Sequence, residues 1–306
     1  MTHMRLKASV LIVEYSTRQY LVECLASLEK SDYPRDAFEV IVVDNASSTP
    51  VDPLIDSFPR VRFVKSKRNL GFAGGNTMAL RRARASNILL LNPDAVAAPD
   101  WVREMVVSLE DEGVGIVGAK IFHPRTRVLQ HAGGYLFGNA RSEHRGRGQD
   151  DRGQFDDPVD VQYVCGAAIG TRKDVIARVG FLSSAYYPAY YEETEFCVRA
   201  RKAGYRVLYN PRAVVEHHES VASGGAATRK YLERYHASRM RFVYRNYTWK
   251  ELALRFAPSE AAFLLSRDRA ERRVCARAYL SALVDHRDGG PGEPRPDDVE
   301  FDTGVR

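Results

Sequence analysis

No stretch of the chain approaches the run of about eighteen apolar residues that a membrane-spanning helix requires. Residues 1–7, Met-Thr-His-Met-Arg-Leu-Lys, have no apolar centre of the kind a secretion signal carries. A soluble, cytoplasmic protein is therefore expected. Cysteine is scarce: Cys24, Cys165, Cys197 and Cys275 lie far apart, with no Cys-x-x-Cys pair among them. That spacing argues against a zinc site or a disulfide framework and leaves buried thiols. No nucleic-acid motif accompanies the net charge of +6, whose basic residues are scattered. The charge suits an anionic ligand or a membrane surface, and no nucleic-acid partner is expected.

What the chain does have is enough apolar content, 44% over 306 residues, to bury a full core in one large domain or two small ones. Its organising stretch is Ile88 to Asp94, Ile-Leu-Leu-Leu-Asn-Pro-Asp. A continuous apolar run suits a strand covered on both faces, and ligands of open α/β sheets bind outside the carboxyl ends of the strands. Pro93 forces the chain out of the sheet and turns Asp94 toward that crevice. There a carboxylate serves equally well as a hard ligand for Mg²⁺ or Mn²⁺ or as a cap for the segment that follows.

The first half repeats this pattern. Ala8 to Val13 reads as a strand, followed by Glu14-Tyr15-Ser16-Thr17 and a helix through Leu21, Leu25 and Leu28. Tyr33-Pro34 ends that helix, and the strand Glu39 to Val43 stops at Asp44-Asn45-Ala46-Ser47-Ser48. The strand Val61 to Val64 leads to Asn69-Leu70-Gly71-Phe72-Ala73-Gly74-Gly75-Asn76 and a helix with Met78, Leu80 and Ala83. A Gly-rich turn before a helix can cradle phosphate, although this spacing matches neither the Walker nor the dinucleotide fingerprint, and a tight turn alone accounts for it. Pro99-Asp100-Trp101 starts another helix and Gly113 to Gly118 a fifth strand. Strands alternating with helices predict an α/β fold with a mostly parallel sheet.

Tyr135 to Pro158, rich in Gly, Arg, Asp and Gln, reads as a mobile surface loop, serving as a lid or as a structureless connection. Val161 to Gly170 returns to strand and Arg172 to Val179 to helix. Next, Tyr186-Tyr187-Pro188-Ala189-Tyr190-Tyr191 runs into Glu192-Glu193-Thr194-Glu195 and a helix ending at Gly204. Acids in a first helical turn are favoured by the macrodipole. The tyrosines before them offer flat faces and hydroxyls to a sugar or other polyol, beside which a carboxylate can act as general base. The strand Arg206 to Tyr209 and Ala213-Val214-Val215 lead to Glu216-His217-His218-Glu219-Ser220. Neutral imidazole is a plausible further cation ligand, but adjacent histidines on a strand point to opposite faces, so at most one faces the site.

Lys230 to Leu254 is a basic, aromatic helical stretch that packs on the domain, forms a homodimer face or lies on an anionic bilayer; packing is the favoured reading. Arg267 to Val284 is helical, with Leu280 and Leu283 for contacts, and the Gly/Pro-rich Arg287 to Arg306 is expected to be disordered.

Taken in order, Val-Ile-Val-Glu-Tyr-Ser, Val-Asp-Asn-Ala-Ser, Asn-Leu-Gly-Phe-Ala-Gly-Gly-Asn, Leu-Leu-Asn-Pro-Asp, Gly-Ala-Ala, Tyr-Tyr-Glu-Glu-Thr-Glu-Phe-Cys and His-His-Glu-Ser resemble the family 2 glycosyltransferases of the GT-A fold, in particular their bacterial rhamnosyltransferase-like branch. The resemblance covers roughly Ser9 to Ser223. It implies a GT-A catalytic domain over residues 1–228, with a nucleotide-sugar half to about residue 120 and an acceptor half beyond it. A helical extension (229–286) and the tail (287–306) follow.

By position, the resemblance places Glu14 and Tyr15 in the nucleotide site, Asp44 on the base, and Asn69, Gly71 and Asn76 on the diphosphate side. Asp94 becomes the metal-binding acid of a motif often written Asp-x-Asp, with Asn92 in its first position. His217 or His218 adds a cation ligand. Tyr191, Glu192 and Gly166 fall on the acceptor side, and Glu193 on the catalytic base, usually Asp; Ser16 likewise stands where Asn is usual. The implied reaction is inverting transfer of a sugar from a nucleotide-diphosphate donor, assisted by Mg²⁺ or Mn²⁺, to a polysaccharide, lipid-linked or small-molecule acceptor. Two readings compete: a degenerate domain serving as a binding or scaffold module, and a nucleotidyltransferase, which would want a Gly-rich basic signature where Glu14-Tyr15-Ser16 stands.

Overall fold

The computed structural model describes residues 6–218, 229–284 and 292–304. Its frame is one large sheet of β1 (Ala8–Glu14), β2 (Phe38–Asp44), β3 (Val61–Ser66), β4 (Asn87–Leu91), β5 (Ala95–Ala97), β6 (Val114–Phe122), β7 (Leu129–His131), β10 (Val159–Asp160), β11 (Ala168–Arg172), β12 (Arg206–His217) and β13 (Val299–Asp302). A separate hairpin pairs β8 (Gly134–Leu136) with β9 (Ser142–His144). The sheet runs β10-β12-β6-β11-β4-β1-β2-β3-β13, with β5 on β12 and β7 on β6. The long ladders β3-β2-β1-β4 and β6-β12 are parallel, and β11 is inserted antiparallel between them.

Alternation along each strand divides the core between the two faces. Val10, Ile12, Val40, Val42, Leu89 and Leu91 pack in one cluster, which includes Leu21 and Leu25 of α1 (Arg18–Glu29) and Trp101 and Met105 of α3 (Trp101–Ser108). Leu11, Ile41, Val43, Ile88 and Leu90 face the other cluster, with Met78 of α2 (Gly71–Leu80), partly buried Ile176 of α4 (Lys173–Val179) and Phe196 of α5 (Glu192–Lys202). A third cluster joins Tyr186 and Tyr191 to Met240, Phe242 and Val243 of α6 (Arg229–Asn246). Beyond α6 come α7 (Trp249–Glu251), a π-helical turn (Leu252–Phe256), α8 (Ala257–Leu265) and α9 (Arg269–Val284). No helix among the described residues is long and apolar enough to cross a membrane.

The structure corrects several expectations. Residues 135–158 form no open loop. They contain the β8–β9 hairpin, bury Phe155, and surround the buried Lys120 ammonium with Asp151 (2.8 Å) and Asp156. Polar composition there reflects ion pairing, which a reading of apolar content misses. Of Val161 to Gly170, only the part from Ala168 belongs to a strand.

The described part of the tail is also structured. β13 covers the exposed edge of β3, and Asp302 takes a bidentate Arg62 at 2.7 Å on each oxygen plus Arg82 at 2.8 Å. Capping an edge strand needs backbone pairing more than apolar bulk. Leu280 is exposed, and Val274, Cys275, Ala278 and Ala282 are the buried apolar residues among those described in α9. Cys165 is half-buried, and the other three thiols are buried. The Leu283 side chain, Glu219, Ser220 and residues 287–291 lie outside the described residues.

Candidate active site

The parallel ladders bring three strand ends to one edge of the sheet. Glu14 stands in register with Asp44, and β4, beside β1, delivers Asn92-Pro93-Asp94. Glu14 is buried, and its carboxylate accepts the Thr17 N–H and, at 2.6 Å, the Thr17 hydroxyl. Burial pushes its pKa up against those two bonds, and the nearby Asp44 and Asp94 carboxylates add to the rise. Tyr15 is exposed beside it. Asp44 is buried and accepts the Ser47 N–H at 2.8 Å and the Val51 N–H at 3.4 Å, so it also organises the turn it begins.

Asn45 ties this edge to the Gly-rich turn. Its Oδ1 accepts the Leu70 N–H at 2.8 Å, and its Nδ2 donates to Asn69 Oδ1 and to Gly71 O, each at 3.2 Å. Asn69 Oδ1 also accepts the Gly71 N–H at 2.8 Å, and Asn76 Nδ2 donates back to Phe72 O at 3.0 Å. Gly71 has φ +69, and a Cβ there would lie 2.7 Å from Pro188 O, so only glycine fits. Phe72 N–H donates to that same Pro188 oxygen at 3.0 Å, which holds the aromatic segment against the turn.

Asp94 and His217 meet: Asp94 Oδ1 lies 3.2 Å from His217 Nε2, and both residues are buried. Gln130 Nε2 donates to His217 O, so its Oε1 is left to accept His217 Nδ1–H at 3.0 Å. In the neutral ring, Nε2 then presents its lone pair to Asp94 and to the Asn92 amide nitrogen 3.2 Å away. His218 points elsewhere, with its ring on Tyr20 and its Nε2 3.9 Å from Glu23, so of the two histidines it is His217 that lies beside Asp94.

Among the described residues, no three or more His, Cys, Asp or Glu side chains cluster as a complete metal cage. The pair nevertheless suits a divalent ion that shares its shell with water and phosphate. An octahedral ion about 2.1 Å from each donor sets adjacent donors roughly 3 Å apart, and Gln130 orients the ring from behind.

Glu193 lies on the other side of Gly166. A Cβ at Gly166 would sit 3.3 Å from the Phe72 ring and in ordinary contact, 3.5 Å, with Glu193 Cγ, which places this glycine directly beside the Glu193 side chain. The next residue, Ala167, accepts the Asn92 N–H at 2.9 Å, linking the Asp94 turn to the Glu193 surroundings. Glu193 is half-buried, and burial pushes its pKa up to about 7 against the backbone N–H groups of Glu193 and Thr194. Its neighbour Glu192 is only 1% exposed, and neither oxygen meets a hydrogen-bond partner. Burial, then the Glu193 charge, push its pKa up. Glu195 is buried and spoken for by Arg245 at 3.0 Å and Asn246 at 3.3 Å.

Tyr191, read on the acceptor side, has its hydroxyl engaged inside the protein. It is buried, donates to Ala140 O at 2.7 Å, lies 3.1 Å from the Tyr235 hydroxyl and packs on Phe242. Tyr190 and Tyr191 hold φ of 89° and 77°, a strained pair at the entrance to α5. Burial of Tyr191 against α6 holds that bend, and α5 begins at Glu192 directly beyond it. Tyr186 is buried as well; Tyr187 and Tyr190 stay half-exposed.

Sequence reasoning assigned no role to Asn45, Gln130, Tyr235 or Arg245. Asn45 stood in a quoted motif, next to Asp44. Gln130 carries no local signal, because only the pairing of β7 with β6 brings it behind His217.

Residues 9–180 match the profile of Glycosyl transferase family 2. Relatives include the uncharacterized protein y4gI of Sinorhizobium fredii, 30% identical over 70% of this chain and 24% of its own length. Another is the low-salt glycan biosynthesis hexosyltransferase Agl10 of Haloferax volcanii, 25% identical over 63% of this chain and 61% of its own. The chain thus spans about a quarter and three-fifths of these curated relatives. Among solved structures, the mannosyltransferase PcManGT from Pyrobaculum calidifontis, in complex with GDP-Man and Mn²⁺, superposes with TM-score 0.60 at 19% identity, covering 94% of this chain and 77% of that one. TarS of S. aureus with UDP-GlcNAc gives TM-score 0.60 at 16% identity over 91% and 82%. The shared architecture is the GT-A fold.

Proposed function

We propose that this chain, which belongs to glycosyl transferase family 2, transfers a sugar from a nucleotide-diphosphate donor to an acceptor hydroxyl with inversion at the anomeric carbon. The observation that carries the reading is the junction of two acid-bearing segments: the Asn92–Asp94 turn is bonded to Ala167, and the adjacent Gly166 faces Glu193.

Glu193, with its pKa pushed up to about 7 by burial, is matched to accept a proton near neutral pH. The acceptor oxygen attacks the anomeric carbon, its proton passes to Glu193, and the bond to the diphosphate breaks with its electron pair leaving on the nucleotide. Asp94 and His217 are the residues to hold Mg²⁺ or Mn²⁺ on the diphosphate side, the ion supplying neutralisation of the leaving group. The Gly-rich turn, braced by Asn45 and Asn69, supports the donor.

Agl10 is a hexosyltransferase, and further relatives are N-acetylglucosaminyltransferases. A hexose or N-acetylhexosamine donor is therefore favoured; rhamnose, a second reading, rests on the motif order alone. The acceptor is a glycan, a lipid-linked sugar or a small molecule.

The test is to incubate the chain with Mn²⁺ and a panel of nucleotide sugars and to follow nucleoside-diphosphate release, with and without acceptor. Release from one donor, abolished in Glu193→Gln, supports the reading. Donor binding without release in wild type favours a binding module, and release of pyrophosphate favours nucleotidyl transfer.

A further inference from the structure

Positive charge and exposed apolar surface coincide on the helical extension. Residues 229–284 hold 13 of the 45 Lys and Arg but only 5 of the 39 Asp and Glu, a surplus larger than the +6 of the whole chain. The remaining residues, 32 basic against 34 acidic, carry a slight negative excess.

The stretch from α7 through α8 exposes Trp249 (73%), Leu254 (76%) and Leu265 (78%), and the smaller Ala257, Pro258 and Ala261 between them are exposed as well. Its two acids are engaged: Glu251 accepts the Thr248 N–H at 2.8 Å and lies 3.6 Å from Arg255, and Glu260 is buried on Arg239. Lys250, Arg255 and Arg267 flank the apolar residues.

We propose that this face docks on an anionic lipid bilayer, with Trp249, Leu254 and Leu265 entering the headgroup region and Lys250, Arg255 and Arg267 meeting lipid phosphates. Helices that lie in an interface combine such an apolar face with basic flanks, and long basic side chains keep their charge at the surface while their stems cover apolar area. A second copy of the chain would bring the same positive surface against itself in a two-fold contact; an acidic bilayer complements it. The face is joined to the candidate base through one turn. A Cβ at Gly138 would lie 2.8 Å from Arg255 O, and Ala140 O accepts the hydroxyl of Tyr191, directly before Glu192 and Glu193. If the reading of the site also holds, the acceptor is lipid-borne; docking itself rests only on this surface.

The experiment is co-sedimentation of the full chain with phosphatidylcholine vesicles, with and without phosphatidylglycerol, read without any activity assay. Binding is expected only with phosphatidylglycerol, to weaken with added salt, and to fall roughly tenfold or more in Leu254→Glu/Leu265→Glu. An unchanged melting temperature shows that this variant is folded. If it is not, Lys250→Glu/Arg255→Glu serves, with the same loss expected. Three results overturn the proposal: no binding to phosphatidylglycerol vesicles, equal binding by the folded variant, or a solution dimer that the variant disperses, which assigns the face to a second copy.

Discussion

His217 Nε2 and Asp94 Oδ1 face each other across 3.2 Å, with the ring fixed from behind by Gln130 and with His218 turned away onto Tyr20. Two acceptor atoms at that spacing would suit Mg²⁺ or Mn²⁺, which take carboxylate and imidazole together with water and phosphate. Asp94→Ala and His217→Ala should each abolish Mn²⁺-dependent binding of a nucleoside diphosphate, read by titration calorimetry. His218→Ala should leave it unchanged. Gln130→Ala should weaken it by about 10–100-fold, the usual cost of losing the partner that orients a ligand. Unchanged binding in Asp94→Ala removes the ion from this pair.

Glu193→Gln should lower kcat by about 10²–10⁴-fold, the usual contribution of a positioned base, with donor affinity retained. Because burial raises this carboxyl to about 7, the wild-type rate should climb as pH rises through that value. The linked stability runs the other way. Between about 4.5 and 7 the folded state holds this proton where the unfolded chain has released it, so stability is lost across that window and the loss is level above it. The variant should therefore gain melting temperature relative to wild type at pH 8 and not at pH 4. A flat pH profile for kcat transfers the base role elsewhere.

Asp302 is held down to about 2 by Arg62 and Arg82 against the opposing effect of burial. Its contribution is present above its ordinary value near 3.8 and is lost as pH falls toward 2. Asp302→Asn, or truncation before residue 292, should lower the melting temperature at pH 7 and narrow the gap to wild type near pH 2. An identical melting curve for the truncated chain at pH 7 shows that β13 adds nothing to the edge of β3.

Arg239 is buried within α6 and pairs its two terminal nitrogens with Glu260 of α8, at 2.6 and 2.7 Å. Glu260 also accepts the Tyr279 hydroxyl and the Asn139 amide, the latter at 2.8 Å. Removing one member strands a charge, so Arg239→Met should cost about 3–5 kcal/mol in urea denaturation. Arg239→Met/Glu260→Leu should cost less than the single change. Equal losses place the effect in packing instead of in the stranded carboxylate.

Tyr191 bridges α5, the turn at Ala140 and α6 through one hydroxyl. Tyr191→Phe should cost roughly 1 kcal/mol from the lost bond. Its larger effect should fall on kcat, through loosening of the bend that precedes Glu193, with the KM for donor unchanged. A loss of stability with kcat intact makes this hydroxyl purely structural.

The α/β architecture was legible because hydrophobic periodicity is local. Ile88-Leu89-Leu90-Leu91 can bury both faces only inside a sheet, and Pro93 must end the strand. The acids after β1, β2 and β4 were legible for the same reason, since strand ends announce themselves. Residues 135–158 and 292–304 were misjudged because their order comes from partners far away in sequence: Lys120 for Asp151, and Arg62, some 240 residues distant, for Asp302. The tyrosine run was legible only in part, because the same side chains suit a sugar face and a helix interface, and packing on α6 buries Tyr186 and Tyr191 while Tyr187 and Tyr190 stay half-exposed.

The sequence by itself determined which polar residues stand at the strand ends, because residue type and strand-end position are written along the chain. Tertiary structure decided which of them meet. That His217 rather than His218 reaches Asp94, that Gln130 stands behind its ring, and that Gly166 lies beside Glu193 all follow from strand register and cross-sheet packing. A one-residue change of register exchanges the faces of a strand, and no local pattern records that choice.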